Sequence, residues 1–333
     1  MGIPFKHMVH FVTKETPDCH VLVVGDIMLD KYFYGEVTRI SPEAPVPITR
    51  VVDVKETLGG AANVAHNLAL LGCRTTVAGF IGKDYHGESL REQFKERNIS
   101  MDCLVETAAP TTTKIRVIGG HQQMMRLDFE ETRPVIGEDA ELLLAKVRES
   151  LADGVQVIIL SDYGKGVCTA ETCAAIIALG KEHNIPVVVD PKGSDWQRYA
   201  GASFITPNLK ELNEVQKKPV PNEDEAVAHA ARYALSKFHI KSMVATRSEC
   251  GLSLVLQRSS HHIPTKAQEV FDVSGAGDTV IATFALALAG GLKPIAGAYL
   301  ANLAAGVVVG KLGTYAVSRG ELLQALMREQ SKR

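Results

Sequence analysis

The residues best placed to do chemistry form one run, Phe271-Asp272-Val273-Ser274-Gly275-Ala276-Gly277-Asp278-Thr279, which leads directly into an apolar helical pattern. Gly275-Ala276-Gly277 lets the backbone turn tightly and aim several N–H groups at one point. The partial positive charge of a helix start adds to them, so the place suits a phosphate or a developing oxyanion. Asp278 falls in the first helical turn, beside that anion site. A carboxylate there repels a phosphate unless it has a task, and taking a proton from an attacking hydroxyl is such a task. Capping the helix is its other possible use. The run departs from the dinucleotide fingerprint, because Val280 takes the third glycine's place, and no Walker A sequence is present. Phosphate binding through neither common motif is the expectation.

Five further segments end apolar runs with polar residues. They are Gly25-Asp26 to Asp30, Ser161-Asp162-Tyr163-Gly164-Lys165-Gly166, Asp190-Pro191-Lys192-Gly193, Thr206-Pro207-Asn208-Leu209-Lys210-Glu211, and Thr246-Arg247-Ser248-Glu249-Cys250-Gly251. Any one of them alone reads as a loop with capping residues. Together they mark successive strand ends, where open parallel sheets bind ligands.

The elements that must position these segments follow from periodicity. A β-branched run over 20–26 opens the pattern as a buried strand. A helix begins at Gly59-Gly60-Ala61-Ala62-Asn63 and stops near Gly72, followed by a strand over 76–80 and a helix over 88–97. From residue 138 onward, helices over 138–151, 170–183, 210–215 and 223–238 alternate with strands over 155–160, 187–190 and 242–246. Such alternation predicts an α/β fold with a mostly parallel central sheet flanked by helices. The segments near 31–56 and 110–130 break it, and the second contains a Gly119-Gly120 turn. They predict one small β-sheet lid, formed by two insertions and placed over the carboxyl edge of the main sheet. The whole reads as a single domain over 18–330.

Composition narrows the partners. The 333 residues are 46% hydrophobic and 22% charged, which excludes a disordered chain. Thirty-six Lys and Arg against 38 Asp and Glu leave a net charge of −2, so bulk attraction to nucleic acid or to an anionic membrane is not expected. The six cysteines include no CxxC pair and read as reduced thiols. No secretory signal is visible. The apolar stretch over 280–309 is broken by Gly290-Gly291 and Lys293-Pro294 into pieces shorter than the roughly 20 residues needed to span a bilayer. A cytoplasmic protein with small-molecule partners is the expectation.

At this point the motifs resemble a known family. Asp272 to Asp278 looks like the C-terminal signature of the ribokinase (PfkB) family of carbohydrate kinases, and Gly59 to Ala65 resembles its N-terminal glycine-rich signature. Asn208-Leu209-Lys210-Glu211 matches its NxxE element, and Thr246 to Gly251 is similar to its nucleotide-binding loop. The correspondence runs in the expected order over nearly the whole chain. Within the family, Gly25 to Tyr32 and Arg39 to Pro47 look like the D-glycero-β-D-manno-heptose 7-phosphate kinases, whose product leads to ADP-heptose for the lipopolysaccharide inner core. Some relatives carry a fused adenylyltransferase. With no HxGH motif before Arg333, this sequence resembles the free-standing kinase.

The resemblance implies a ribokinase-like fold and ATP-dependent phosphorylation of an anomeric hydroxyl. Asp278 would be the base, and the amides of Gly275, Ala276 and Gly277 would hold the transferring phosphoryl group. Asn208 and Glu211, three apart on a helix start, would orient Mg²⁺ through its waters. Asp30, Gly59, Gly60 and Asn63 would contact the sugar. Lys165, Lys192 and Arg126 are the candidates for the remote phosphate, ahead of Arg39, Lys114 and Arg116. Thr246 and Gly251 belong to the nucleotide side, and Asn302 and Ala305 would line the adenine pocket by family position, although helix packing also explains them. A monovalent cation is left open, because Val273 stands where many members have threonine. The lid implies a homodimer. The alternatives are a kinase of the same fold for another sugar or sugar phosphate, and a sugar-responsive binding protein without turnover.

Overall fold

The computed structural model describes residues 5–331 apart from 121, 267, 268 and 312. In chain order the elements begin with α1 (Phe5–His10), β1 (His20–Gly25), β2 (Ile27–Ile40), β3 (Pro47–Gly60) and α2 (Ala61–Leu70). Then come β4 (Arg74–Gly82), α3 (Tyr85–Glu96), β5 (Ile99–Thr107), β6 (Thr113–Gly119), β7 (Gln122–Phe129) and α4 (Glu138–Leu151). The middle of the chain holds β8 (Val157–Ser161), α5 (Ala170–Glu182), β9 (Val187–Asp190), β10 (Phe204–Ile205), α6 (Leu209–Glu214) and α7 (Asp224–Lys237). Last are β11 (Met243–Thr246), β12 (Leu252–Val255), β13 (Ser260–Ile263), α8 (Ala276–Ala289), α9 (Pro294–Val308) and α10 (Arg319–Ser331).

The strands β13-β12-β11-β10-β9-β8-β1-β4-β5 form one sheet in that order. It is parallel from β11 to β5, and β12 and β13 add an antiparallel edge. The interior strands β1 and β8 are buried along their whole length, which is why their sequences are continuous apolar runs. Two helical layers cover the faces. One core packs α2, α8, α9 and α10 against the sheet, and the other packs α4, α5 and α7. The chain moves one way from β1 to β4 and β5, then returns to β8 on β1's other side. This reversal leaves a crevice at the carboxyl ends of β1 and β8, the place such sheets bind ligands.

The two insertions build a second, four-stranded sheet, β3-β2-β6-β7. Its β2/β3 and β6/β7 pairs are antiparallel, and β2 joins β6 in parallel from Leu29↔Thr113 to Gly35↔Gly119. The helix expected over 88–97 starts earlier, at Tyr85, because the Asp84 carboxylate caps it by accepting the Gly87 N–H at 2.8 Å. Strands β5, β10, β12 and β13 escape the periodicity reading. β10 has only two residues, and β5 interleaves Ser100 and Asp102 with its apolar positions. The apolar stretch near the C-terminus is the pair α8 and α9, both deeply buried. Among the described residues, no helix is long and apolar enough to cross a membrane. The described cysteines are free thiols, all but Cys250 buried.

Candidate active site

A cavity of about 370 Å³ opens at the crevice, between the carboxyl ends of the parallel strands and the four-stranded sheet. Its floor is the start of α8. Gly275 precedes the helix with φ +78°, a left-handed conformation that glycine adopts without strain. A Cβ there would also stand 3.1 Å from Asn63 Nδ2. Gly275, Gly277 and Asp278 all line the cavity.

Asp278 is 7% exposed. Its Oδ2 accepts from Asn63 Nδ2 at 2.6 Å, and its Oδ1 accepts from the Tyr163 hydroxyl. Both partners are neutral, so no cation compensates the burial. Burial pushes its carboxyl up to about 6, against the opposing pull of these two hydrogen bonds. A carboxylate with that pKa, at the edge of a void and next to helix-start amides, can take a proton near neutral pH.

The four-stranded sheet supplies the opposite wall. Asp30 accepts from Arg116 Nη1 at 2.6 Å, and the Arg116 guanidinium lies 5.2 Å from the Tyr32 ring centroid. Gly59 sits across from this carboxylate. A Cβ on it would meet Asp30 Oδ2 at 2.7 Å, so only glycine leaves Asp30 in place. Arg116 and Arg126 are directly opposed on β6 and β7, with Lys114 beside them on the same face. Arg126 is held from its own strand by Asp128, through Nε at 2.9 Å and Nη2 at 3.0 Å.

The end wall carries Asp190, Lys192, Asn208, Glu211 and Thr246. Asn208 and Glu211 form a reciprocal cap at the start of α6, each backbone N–H reaching the other's side chain at 2.9 Å. Burial raises the Glu211 carboxyl. Asp190 is held well above the usual carboxylate range, first by burial and then by the charges of Asp278 and Glu211. Carboxylates that repel one another around one void fit a divalent cation. No three acidic, histidine or cysteine side chains among the described residues stand close enough to ligate one ion together. Asn208 and Glu211 are the side chains of this wall that could hold a cation.

Several expected residues lie elsewhere. Lys165 does not line this cavity. Its Nζ is engaged by Glu130 at 2.7 Å, and it borders a neighbouring cavity of about 500 Å³. Asn302 is buried in α9 and donates to the Pro264 carbonyl at 2.8 Å, while Ala305 packs against the core. Gly251 abuts the same Pro264, since a Cβ on it would lie 2.6 Å from that carbonyl carbon. Gly251 and Asn302 are thus neighbours beyond the Thr246 end of the cavity. Arg247 is buried beside the start of α7, bonded to Asn222, Asp224 and Ser253. Tyr163 and Asp190 line the site although the sequence names them only within their segments, and Arg116, ranked behind Arg126 for a phosphate, lines it while holding Asp30. The strand-end positions of Tyr163 and Asp190 were the available signal, but spacing alone does not say which side chain reaches Asp278.

The profile of the pfkB family carbohydrate kinases matches residues 19–319. The bifunctional protein HldE of Methylobacillus flagellatus is 45% identical over 312 residues, which cover 93% of this chain and 64% of that protein. HldE of Hahella chejuensis is 46% identical over 311 residues, again 93% of this chain and 64% of the relative. The chain thus spans a little under two thirds of the length of these curated relatives. Among solved structures, Arabidopsis thaliana ribokinase complexed with ribose and ATP superposes with a TM-score of 0.74 at 21% identity, covering 92% of this chain and 98% of its own. Escherichia coli phosphofructokinase-2 in complex with potassium gives 0.74 at 19% identity, covering 94% and 99%. Those likenesses show a ribokinase-like fold.

Proposed function

We propose, for a chain that belongs to the pfkB family of carbohydrate kinases, the ATP-dependent phosphorylation of the anomeric hydroxyl of D-glycero-D-manno-heptose 7-phosphate. The observation that carries the phosphotransfer reading is Asp278, a buried carboxylate held by two neutral donors beside the Gly275–Gly277 helix start. The 45–46% identity to HldE supports the heptose as acceptor. In this reading Asp278 takes the proton of the sugar hydroxyl, which is more acidic than an ordinary alcohol. The amides at Gly275, Ala276 and Gly277 stabilise charge on the transferring phosphoryl group. Asp30, Gly59, Gly60 and Asn63 orient the sugar. Asn208 and Glu211 hold Mg²⁺ through water, and bound Mg²⁺ neutralises phosphate charge. Thr246 and Gly251 face the nucleotide side.

The reading is tested by ADP release over a panel of phosphorylated sugars. Strong turnover with the heptose phosphate is expected. Silence with it and strong turnover with another sugar would move the assignment to a different acceptor.

The remote phosphate falls to Arg126 and Lys192, which line the cavity, whereas Lys165 is taken by Glu130. Like charges directly opposed across strands repel, and an anion between Arg126 and Arg116 relieves that repulsion. Charge-assisted hydrogen bonds contribute about 1.5–3 kcal/mol. Arg126→Gln is accordingly expected to raise KM for the phosphorylated sugar by about 10- to 100-fold, with KM for ATP unchanged in steady-state kinetics.

The four-stranded sheet also supports a homodimer. Its cavity face carries Asp30, Arg116 and Arg126, and the alternate residues make much of the opposite face apolar, with the Lys31–Glu56 ion pair at one end. On that face Val54, Met125, Leu127 and Phe129 are between 42% and 55% exposed. An exposed apolar patch of this kind is an association surface, and covering it with a second copy would hold the sheet over the cavity as a lid. Light scattering is expected to give twice the chain mass, and Leu127→Glu is expected to give monomers.

A further inference from the structure

Three amides of the loop between β8 and α5 converge on one carboxylate. Asp26, the residue after β1, accepts the N–H groups of Tyr163 at 2.8 Å and Lys165 at 3.0 Å on Oδ2. Its Oδ1 accepts the Val167 N–H at 3.1 Å. Asp26 is 2% exposed, and these three amides offset much of the penalty of burying it. The register explains the reach, because Gly25 pairs with Ser161 across β1 and β8 and brings both strand ends level. The loop carries Tyr163 with its hydroxyl on Asp278 Oδ1. Burial and the nearby Asp278 push the Tyr163 phenol well above its usual range, so it stays a donor.

We propose that Tyr163 is a positioning residue for the Asp278 carboxylate, and that Asp26 acts on that carboxylate through Tyr163, by fixing the loop that carries it. The inference rests on the reading of Asp278 as the base. A hydroxyl donor favours the carboxylate over the carboxylic acid and fixes its rotation: Tyr163 occupies one lone pair of Oδ1 and Asn63 one of Oδ2, which leaves one on each oxygen to take a proton. Removing the donor makes Asp278 harder to ionise. The other charged groups around it are Asp30 and Arg116 on the four-stranded sheet, Asp190 and Lys192 after β9, and Glu211 on α6. Lys114, Arg126 and Asp162 complete the charged lining, and none of these groups is altered by a phenylalanine at 163.

The test is the pH dependence of kcat/KM for the wild type, Tyr163→Phe, Asp26→Asn and the double variant. Tyr163→Phe is expected to move the acid limb upward by about one pH unit, the size of one hydrogen bond to a charged group. Its rate should therefore fall about tenfold below the limb and recover toward the wild-type value in alkaline buffer, while ATP binding stays unchanged by calorimetry. Asp26→Asn is expected to shift the limb in the same direction, and the double variant no further than Tyr163→Phe. An unshifted limb in Tyr163→Phe overturns the role of Tyr163. Additive shifts in the double variant overturn the route through it. An active Asp278→Asn enzyme would instead defeat the base itself. An inactive one, together with an unshifted Tyr163→Phe, defeats the positioning role alone.

Discussion

Asp278→Asn is expected to lower kcat by about three orders of magnitude, within the range that a positioned general base contributes. The substitution is nearly isosteric, so the start of α8 and the cavity keep their shape. What changes is the charge, and one acceptor oxygen becomes an NH₂ that can donate to the Tyr163 hydroxyl once that hydroxyl turns. The acceptor hydroxyl then has no carboxylate to receive its proton, while the helix-start amides that meet the phosphates are untouched. Nucleotide binding by calorimetry should accordingly stay within about threefold of wild type, because less than 1 kcal/mol is at stake. The pH profile gives a second check. Asp278 must be unprotonated to act, and burial places its carboxyl at about 6. Wild-type activity should therefore fall as pH drops through that value, and the residual rate of the variant should be flat there. Wild-type turnover in Asp278→Asn would remove the mechanism.

Gly277→Val is expected to be as selective in the other direction, removing turnover while leaving the fold intact. A Cβ at Gly277 meets nothing within 4 Å, because the position faces the open cavity. No backbone penalty arises either, since Gly277 lies within the helical turn of α8 and is not among the positive-φ glycines. Valine is a few tenths of a kcal/mol more favourable than glycine in a helix, so the melting temperature should not fall and should move by no more than about 2 °C. Its methyl groups would occupy the volume where the phosphoryl group must approach the amides. Loss of one such donor typically costs about 10²–10³ in kcat. Thermal unfolding and ADP release on the same preparation check both halves. A parallel fall in stability and activity would mean that Gly277 matters for folding and not for access to the amides.

Gly275 gives the contrast. It combines positive φ with a contact to Asn63, so a side chain there would strain the backbone and also press on a partner of Asp278. Two glycines two residues apart thus serve different ends, one conformational and one steric. The sequence run displays both without distinguishing them.

What could be read from the amino-acid order is what depends on local physics. The helix start at Gly275–Asp278 needs only neighbouring residues, and the alternation of apolar strands and helices follows from burial on both faces of a parallel sheet. The glycine-rich start of α2 and the reciprocal cap of Asn208 and Glu211 are local as well. Pairings across the sheets had to wait for the fold. Register between β1 and β8 puts Asp26 under the Tyr163 loop, and register between β6 and β7 sets Arg116 opposite Arg126. Lys165 sits at a strand end like the residues that do reach the cavity, yet Glu130 draws its ammonium to the side. Asn302 donates to the Pro264 carbonyl, a partner 38 residues away in the chain. The sequence by itself determined the helix start that places the Asp278 carboxylate, the proposed base, beside the Gly275–Gly277 amides, because a helix terminus is built from consecutive residues. Only the tertiary structure decided which distant side chains hold that carboxylate and which cations face the void, because a side chain's partner depends on strand register and burial, and neither is encoded in spacing along the chain.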